Sequence, residues 1–471
     1  MTARRLTAAS LSLLSLLTFT ACTGGEAQEQ PADADSSPRI VVASGQDVTG
    51  QNGIRQQLID AWNAKEGEHG YRARLVELPG SADQQRSQLL GALQSGSAEY
   101  DVVNLDVTWI PEFAEAGRIR PLDDSAVEDP GDLIKSVDRT SYWDGKRYAV
   151  PFNSDAGLLY YRKDHLVKAS ASRTDLGGED VSWDGLRELQ GPLDDAGIDD
   201  YEAIWTTQLA AYEGRTVNAI EAFASAVPGF RLTDGDGDYV ATEEQLTTGM
   251  TELWERTRSP YLLEGAAESR EAESLSAFAE GRTTFLRHWP YVYPTLHETF
   301  GENLGVARLP GKAVLGGQSL AVTSSTSEQR AAKAAELIAF LTDPDSERCL
   351  LRAGFAATRT SAYEEPDTAP DCRHARAYAE GPTASPTGES TGRMPPDRMA
   401  DGTSYFRDIL RPALGAAVER PRTPLYGAVT HTLTTELDAL YGPPRGPGGS
   451  RPGVAEIAKS LDEALRKILP G

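Results

Sequence analysis

The feature that most limits how this chain can fold is the exchange of short apolar strands with helix-patterned segments from residue 39 onward. Arg39-Ile-Val-Val-Ala43 is a short β-branched run of strand character. Ile54, Leu58, Ile59 and Trp62 follow at spacings that share one helix face. Arg74 to Leu78 alternates, and Ser81 to Gln84 is a capping-box pattern opening a helix that Gly96 stops. Tyr100 to Leu105 reads as a buried strand with Asp106 just past its end, and Thr108 is placed to cap a helix through Phe113 to Gly117. Strands alternating with helices imply a mainly parallel sheet covered on both faces. Solutes bind such sheets beyond the carboxyl ends of the strands, which is where Asp106 and Trp109 fall.

A second set of elements occupies residues 150–313. It includes an aromatic-rich region from Trp205 to Phe230 and a strand from Asn303 to Leu309. Ser319 to Thr323 reads as another strand, feeding an Ala-rich helix from Gln329 to Leu341 that Asp343-Pro344 stops. Residues 379–402 are rich in Pro, Gly, Ser and Thr and are expected to form a mobile loop. Val454, Ile457, Leu461, Leu465 and Ile468 form one apolar helix face that closes the chain. A length of 471 residues suits two or three domains.

The N-terminus points outside the cytoplasm. Arg4 and Arg5 precede an apolar run, Leu6 to Thr20, that is shorter than the roughly 20 residues a spanning helix needs. Residues 1–21 therefore read as a secretory signal peptide. The small Ala21 followed by Cys22 resembles the lipobox of bacterial lipoproteins, although Phe19 replaces the usual Leu. That resemblance implies an acylated Cys22 holding the chain to the outer face of the cell membrane, with residues 22–38 as a flexible tether. Cys349 and Cys372 remain as an even pair in an oxidising compartment, read as a disulfide in preference to two buried thiols. The formal charge of −24 repels phosphate backbones and argues against nucleic acid as a partner.

Patterns for catalysis are sparse. The histidines show no zinc-hydrolase spacing, and neither a Gly-x-Ser-x-Gly elbow nor a phosphate loop is present. Asp234-Gly-Asp236-Gly-Asp238 fails as a calcium loop, because Tyr239 and Gln245 stand where Gly and Glu are needed, so a polar turn is expected. No cofactor or metal is expected. Seventy acidic residues leave open a glycosidase-like carboxylate pair.

Five segments, in order, resemble the extracellular solute-binding proteins of ABC importers, of the family 1, trehalose/maltose type. They are Tyr100-DVVNLDVTWIPEFAEAGRIRPLD, Tyr148-AVPFNSDAGLLYYRKDHL, Gln208-LAAYEGRTVNAIEAF, Phe278-AEGRTTFLRHWPYVYP with the later Leu315-GGQSLAV, and Pro421-RTPLYGAV. The resemblance implies a two-lobe, type II periplasmic-binding-protein-like α/β fold, each lobe a mainly parallel sheet flanked by helices, with a hinge between. The expected lobes are 39–149 plus 314–362 and 150–313 plus 363–471.

Residue chemistry fits a sugar guest independently. Hydroxyls call for carboxylates and amides, and a ring's C–H face calls for flat aromatics. The polar candidates are Gln46, Asp47, Asp106, Asn153, Asp155, Gln208, Glu213 and Gln318, with Gly317 and Arg359 beside them. The aromatic candidates are Trp109, Tyr212, Trp289, Tyr291 and Tyr426. Two departures from the family bear on the guest. Gly316-Gly317 precede Gln318 where Trp is common, and His288 replaces a common Asn, which would add pH sensitivity. The expected protein is a monomeric, non-enzymatic lipoprotein that captures a di- or oligosaccharide for an ABC permease. The alternatives are a secreted glycan-degrading enzyme and a receptor for a non-sugar solute.

Overall fold

The structure is a computed structural model. It describes residues 38–46, 53–66, 70–96, 100–172, 174, 176, 181–364, 372, 374–375, 394–395, 397–442 and 451–471. Cys22, the signal and tether segments up to residue 37, Asp47 and most of 379–402 lie outside the described residues.

Strands β1 (Arg39–Gly45), β2 (Arg72–Leu78) and β3 (Val102–Asp106) form where the sequence places them, joined by the helices Ile54–Glu66 and Ala82–Ser95. The second helix opens with the Ser81/Gln84 capping box and ends at Gly96, whose φ of 64° suits a residue without Cβ. After β3 the expectation is corrected. Asp106 is the last residue of the strand, and its Oδ1 accepts from Thr108 N (2.9 Å) and Thr108 Oγ1 (2.8 Å). Asp106 therefore builds the turn, and Thr108 does not cap the helix Ile110–Glu115.

A hairpin, β4 (Tyr142–Trp143) and β5 (Lys146–Arg147), leads to β6 (Val150–Ala156), β7 (Leu158–Arg162), β8 (Ala203–Thr206), β9 (Thr283–His288), β10 (Leu304–Arg308) and β11 (Leu315–Val322). The first sheet has the order β2-β1-β3-β11-β6 and the second β10-β7-β9-β8. In the first, β1, β2, β3 and β6 share a direction and β11 opposes them. In the second, β8, β9 and β10 share a direction and β7 opposes them. The reversed strand in each sheet is the one delivered directly from the other, β6 into β7 and β10 into β11. Residues 150–156, given to the second lobe by the sequence reading, therefore belong to the first sheet, and the chain changes sheets at Gly157.

Both crossings meet over one buried ion pair. Arg287 donates to both Glu221 oxygens (2.6 and 3.1 Å), and Val314 N donates to Glu221 Oε1 at 3.1 Å. A Cβ on Gly157 would lie 2.6 Å from that same oxygen, so the crossing strand passes too close for any side chain.

The first sheet buries Ile40, Val42, Val102 and Leu320 against the helix Glu328–Leu341, and the second packs Tyr160, Tyr161, Phe285 and Leu286. A further layer joins the helices Glu213–Ala226, Glu243–Thr257, Tyr426–Tyr441 and Val454–Ile468 through Phe223, Leu253, Leu433 and Leu461. Pro344 stops one helix by opening the next, Pro344–Arg352, with Asp343 as its cap. Cys349 and Cys372 form a disulfide with Cα atoms 4.6 Å apart. Asp234 Oδ1 accepts from the backbone of Asp236 and Asp238, both at 3.0 Å, which makes this segment a polar turn.

Candidate functional site

The strand ends converge on one cavity of about 340 Å³, within the range of small-molecule sites. From the first sheet come Gly45 ending β1 and Gln46 after it, the turn Gly80 to Ala82 after β2, Asp106 ending β3, and Asn153 and Asp155 in β6. Because β11 runs the other way, its beginning lies at this edge, with Gln318 opposite both Asp106 and Asn153 and Gly316 opposite Asp155. The facing wall carries Tyr212, Glu213 and Gly214 where a helix starts, Glu271 at another helix start, and Trp289 and Tyr291 after β9.

Of the paired glycines, Gly317 is required by this closeness and Gly316 leaves a narrow fit. Gly317 has φ +122°, and a Cβ there would sit 2.4 Å from Asn153 O. A Cβ on Gly316 would lie 3.4 Å from the Trp289 ring and 3.2 Å from Asp155 Cβ. The indole thus lies against bare β11 backbone.

The charges are organised around arginines the sequence reading missed. Arg420 donates to Glu213 Oε1 (2.6 Å) and Asp106 Oδ1 (2.7 Å), joining the two walls. Tyr426 OH also bonds Glu213 Oε1, and Thr430 Oγ1 donates to Oε2 at 2.9 Å. Burial still holds the Glu213 carboxyl above the usual range, with Arg420 opposing. Arg55 donates to Ser44 Oγ (3.0 Å), Gly45 O (2.8 Å) and Gln318 Oε1 (2.6 Å). Asn104 Nδ2 donates to the same Gln318 oxygen at 3.0 Å. Two donors on that oxygen fix the amide orientation and leave Nε2 as the end offered to a guest.

Asp155 is the contrasting acid. It is half-buried, and its Oδ1 has no hydrogen-bond partner. Burial, reinforced by the charge of Asp106, pushes its carboxyl up to about 7, with Arg55, Arg420 and Arg287 opposing. Asn153 Oδ1 also lacks a hydrogen-bond partner, and the Tyr212 hydroxyl is directed at the Glu271 carboxylate.

Trp289 rests on the Arg287 guanidinium, 3.9 Å from the ring centroid. The preceding His288 corrects the expectation of pH sensitivity. It is fully buried, and burial pushes its pKa down to about 3, so it is neutral at physiological pH. Its Nδ1 accepts from Trp289 N at 2.9 Å, so the ring proton is on Nε2, 3.2 Å from Glu271 O. His288 is a strut fixing Trp289 and Glu271.

Four further candidates lie behind the cavity wall rather than on it. Trp109 is 5% exposed and packs with Leu105 and Phe113. Gln208 Nε2 donates to Ser274 Oγ (2.7 Å) and Arg287 O (3.0 Å), and its Oε1 accepts from Arg287. Arg359 is wholly buried and donates to Thr342 O (2.7 Å) and Asp129 O (3.1 Å). Tyr426 backs Glu213 from the core. Gln46, Asp106, Asn153, Asp155, Tyr212, Glu213, Trp289, Tyr291, Gly317 and Gln318 do meet at the cavity. Arg55, Gln85, Glu271, Phe355 and Arg420 join them without having been singled out. Only Arg420 had a sequence signal, being next to the Pro421-RTPLYGAV segment.

Two sheets, exchanging strands through a pivot and facing each other across a polar, aromatic-walled cavity, define the two-lobed solute-receptor fold. The chain belongs to the bacterial extracellular solute-binding protein family, which it matches over residues 57–375. A Deinococcus radiodurans protein described as a probable ABC transporter-binding protein is 26% identical over 330 residues, 65% of this chain and 73% of that one. Maltose-bound MalE3 of T. maritima has a TM-score of 0.72 at 22% identity, covering 92% of this chain and 100% of its own. The GacH receptor of Streptomyces glaucescens, studied unliganded and with acarbose, has a TM-score of 0.68 at 19% identity, covering 92% and 98%.

Proposed function

We propose that this protein captures a carbohydrate between its two lobes and presents it to the permease of an ABC importer. The observation that carries the reading is the cavity wall itself: Trp289, Tyr291 and Tyr212 as flat surfaces, facing Asn153, Asp155 and Gln318 as hydrogen-bonding groups. The maltose and acarbose complexes of similarly folded proteins support a saccharide guest. Charge-assisted hydrogen bonds contribute about 1.5–3 kcal/mol each, so a few with one stacked ring reach the roughly 8 kcal/mol of micromolar affinity. Guest contacts on both walls stabilise the closed arrangement, and the permease reads that arrangement. The ten predicted residues that meet at the cavity are the proposed contacts. Acylation at Cys22 and a tether to residue 38 hold the domain, acting as a monomer, at the outer membrane face.

The test is a thermal-shift screen of the Cys22→Ser protein against mono- and disaccharides. At least one sugar raises the midpoint, and Trp289→Ala abolishes that rise. A screen without any shift refutes the reading. The raised Asp155 carboxyl beside Asp106 favours one second reading, a glycan-cleaving enzyme with split carboxylates. Overnight incubation followed by chromatography separates the two, since a receptor returns its sugar intact.

A further inference from the structure

The cavity is electrostatically unbalanced in one place. Its lining holds four carboxylates, Asp106, Asp155, Glu213 and Glu271, and two guanidiniums, Arg55 and Arg420. Arg420 is spent on Asp106 and Glu213. Arg287, beneath the indole, is spent on Glu221. Among the described residues neither Asp155 nor Glu271 has an ion-pair partner, and after burial the charge of each helps to raise the Tyr291 phenol.

The acceptors near Asp155 are also unsatisfied. Asn153 and Asp155 are two residues apart on β6 and so project from the same face. Each carries a buried Oδ1 without a donor, and Asn153 is only 3% exposed. A sugar bearing hydroxyls alone supplies donors but leaves Asp155 and Glu271 without an ion-pair partner in a partly dehydrated cleft. A protonated amine supplies three donors and the missing charge. The field of a chain of net charge −24 draws in such a cation and disfavours an anion.

We propose that the saccharide taken by this cleft bears a protonated amine, received by Asp155 with Asn153 beside it. This rests on the carbohydrate reading and narrows it to aminated sugars. The experiment is calorimetry on the Cys22→Ser protein with matched pairs: trehalose and 2-amino-2-deoxytrehalose, maltose and its 2-amino analogue, cellobiose and the glucosamine disaccharide. In at least one pair the aminated member binds ten-fold or more tightly than its neutral partner. Asp155→Asn, which keeps the side-chain shape, reduces that ratio below three-fold, with circular dichroism verifying the fold. If neutral members bind as tightly as aminated ones, or if Asp155→Asn leaves the ratio unchanged, the amine proposal fails while the carbohydrate reading stands. If no member of any pair binds while the thermal-shift screen gives a sugar hit, the amine proposal alone fails; if that screen is blank as well, both fail.

Discussion

Removing the charge of Asp155 makes the ligand-free protein more stable, and the gain grows with pH. The carboxyl is held near 7 in the folded chain against 3.8 when exposed, so between these values the native state binds more protons than the unfolded one. Stability therefore falls as pH rises through that window and is flat on either side. Between pH 5 and pH 8 the loss from this one group is about 2.6 kcal/mol if unscreened, at about 1.36 kcal/mol per pKa unit. Solvent reaching the half-buried side chain cuts this to roughly half, about 1–1.5 kcal/mol. Asp155→Asn has no proton to exchange and avoids the loss. Urea denaturation of both proteins at pH 5 and pH 8 measures it: the variant's advantage is about 1–1.5 kcal/mol larger at pH 8. An advantage equal at both pH values, or larger at pH 5, would refute the reasoning that burial and Asp106 raise this carboxyl.

Arg420→Met leaves Asp106 and Glu213 facing each other without their shared cation and costs about 3–5 kcal/mol in urea denaturation. Adding Glu213→Gln recovers part of that loss. Trp109→Ala costs about 3–5 kcal/mol of stability as a core deletion, whereas Trp109→Phe leaves the dissociation constant of the best sugar within about three-fold, since this ring is outside the cavity. Gly317→Ala forces a Cβ to within 2.4 Å of Asn153 O at a φ of +122°. A lower melting midpoint and weakened sugar affinity are expected from it together, because the strain moves β6 at Asn153.

The strand–helix alternation was legible because periodicity reports burial, and burial built β1 to β3 and the helices between them. Side-chain roles were less legible. Trp109 and Trp289 are the same residue type near strand ends, yet one faces the core and the other the cavity. Trp289 is seated by partners the local pattern does not show, the Arg287 guanidinium beneath its ring and the backbone of Gly316 on a strand far away in sequence. Arg55 and Arg420 were missed because their partners, Gln318 and the Asp106–Glu213 pair, lie 263 and more than 200 residues away. The boundary at residue 150 was misplaced for a similar reason: β6 joins the first sheet through β11, which the chain supplies only at Leu315.

The buried Arg287–Glu221 pair has a mechanical consequence. The Arg287 guanidinium floors the indole and, through Glu221, also holds the chain at Val314 beneath the close passage of Gly157. A solute resting on that indole, as proposed above, would bear on the same guanidinium that holds both places where the chain turns from one sheet to the other.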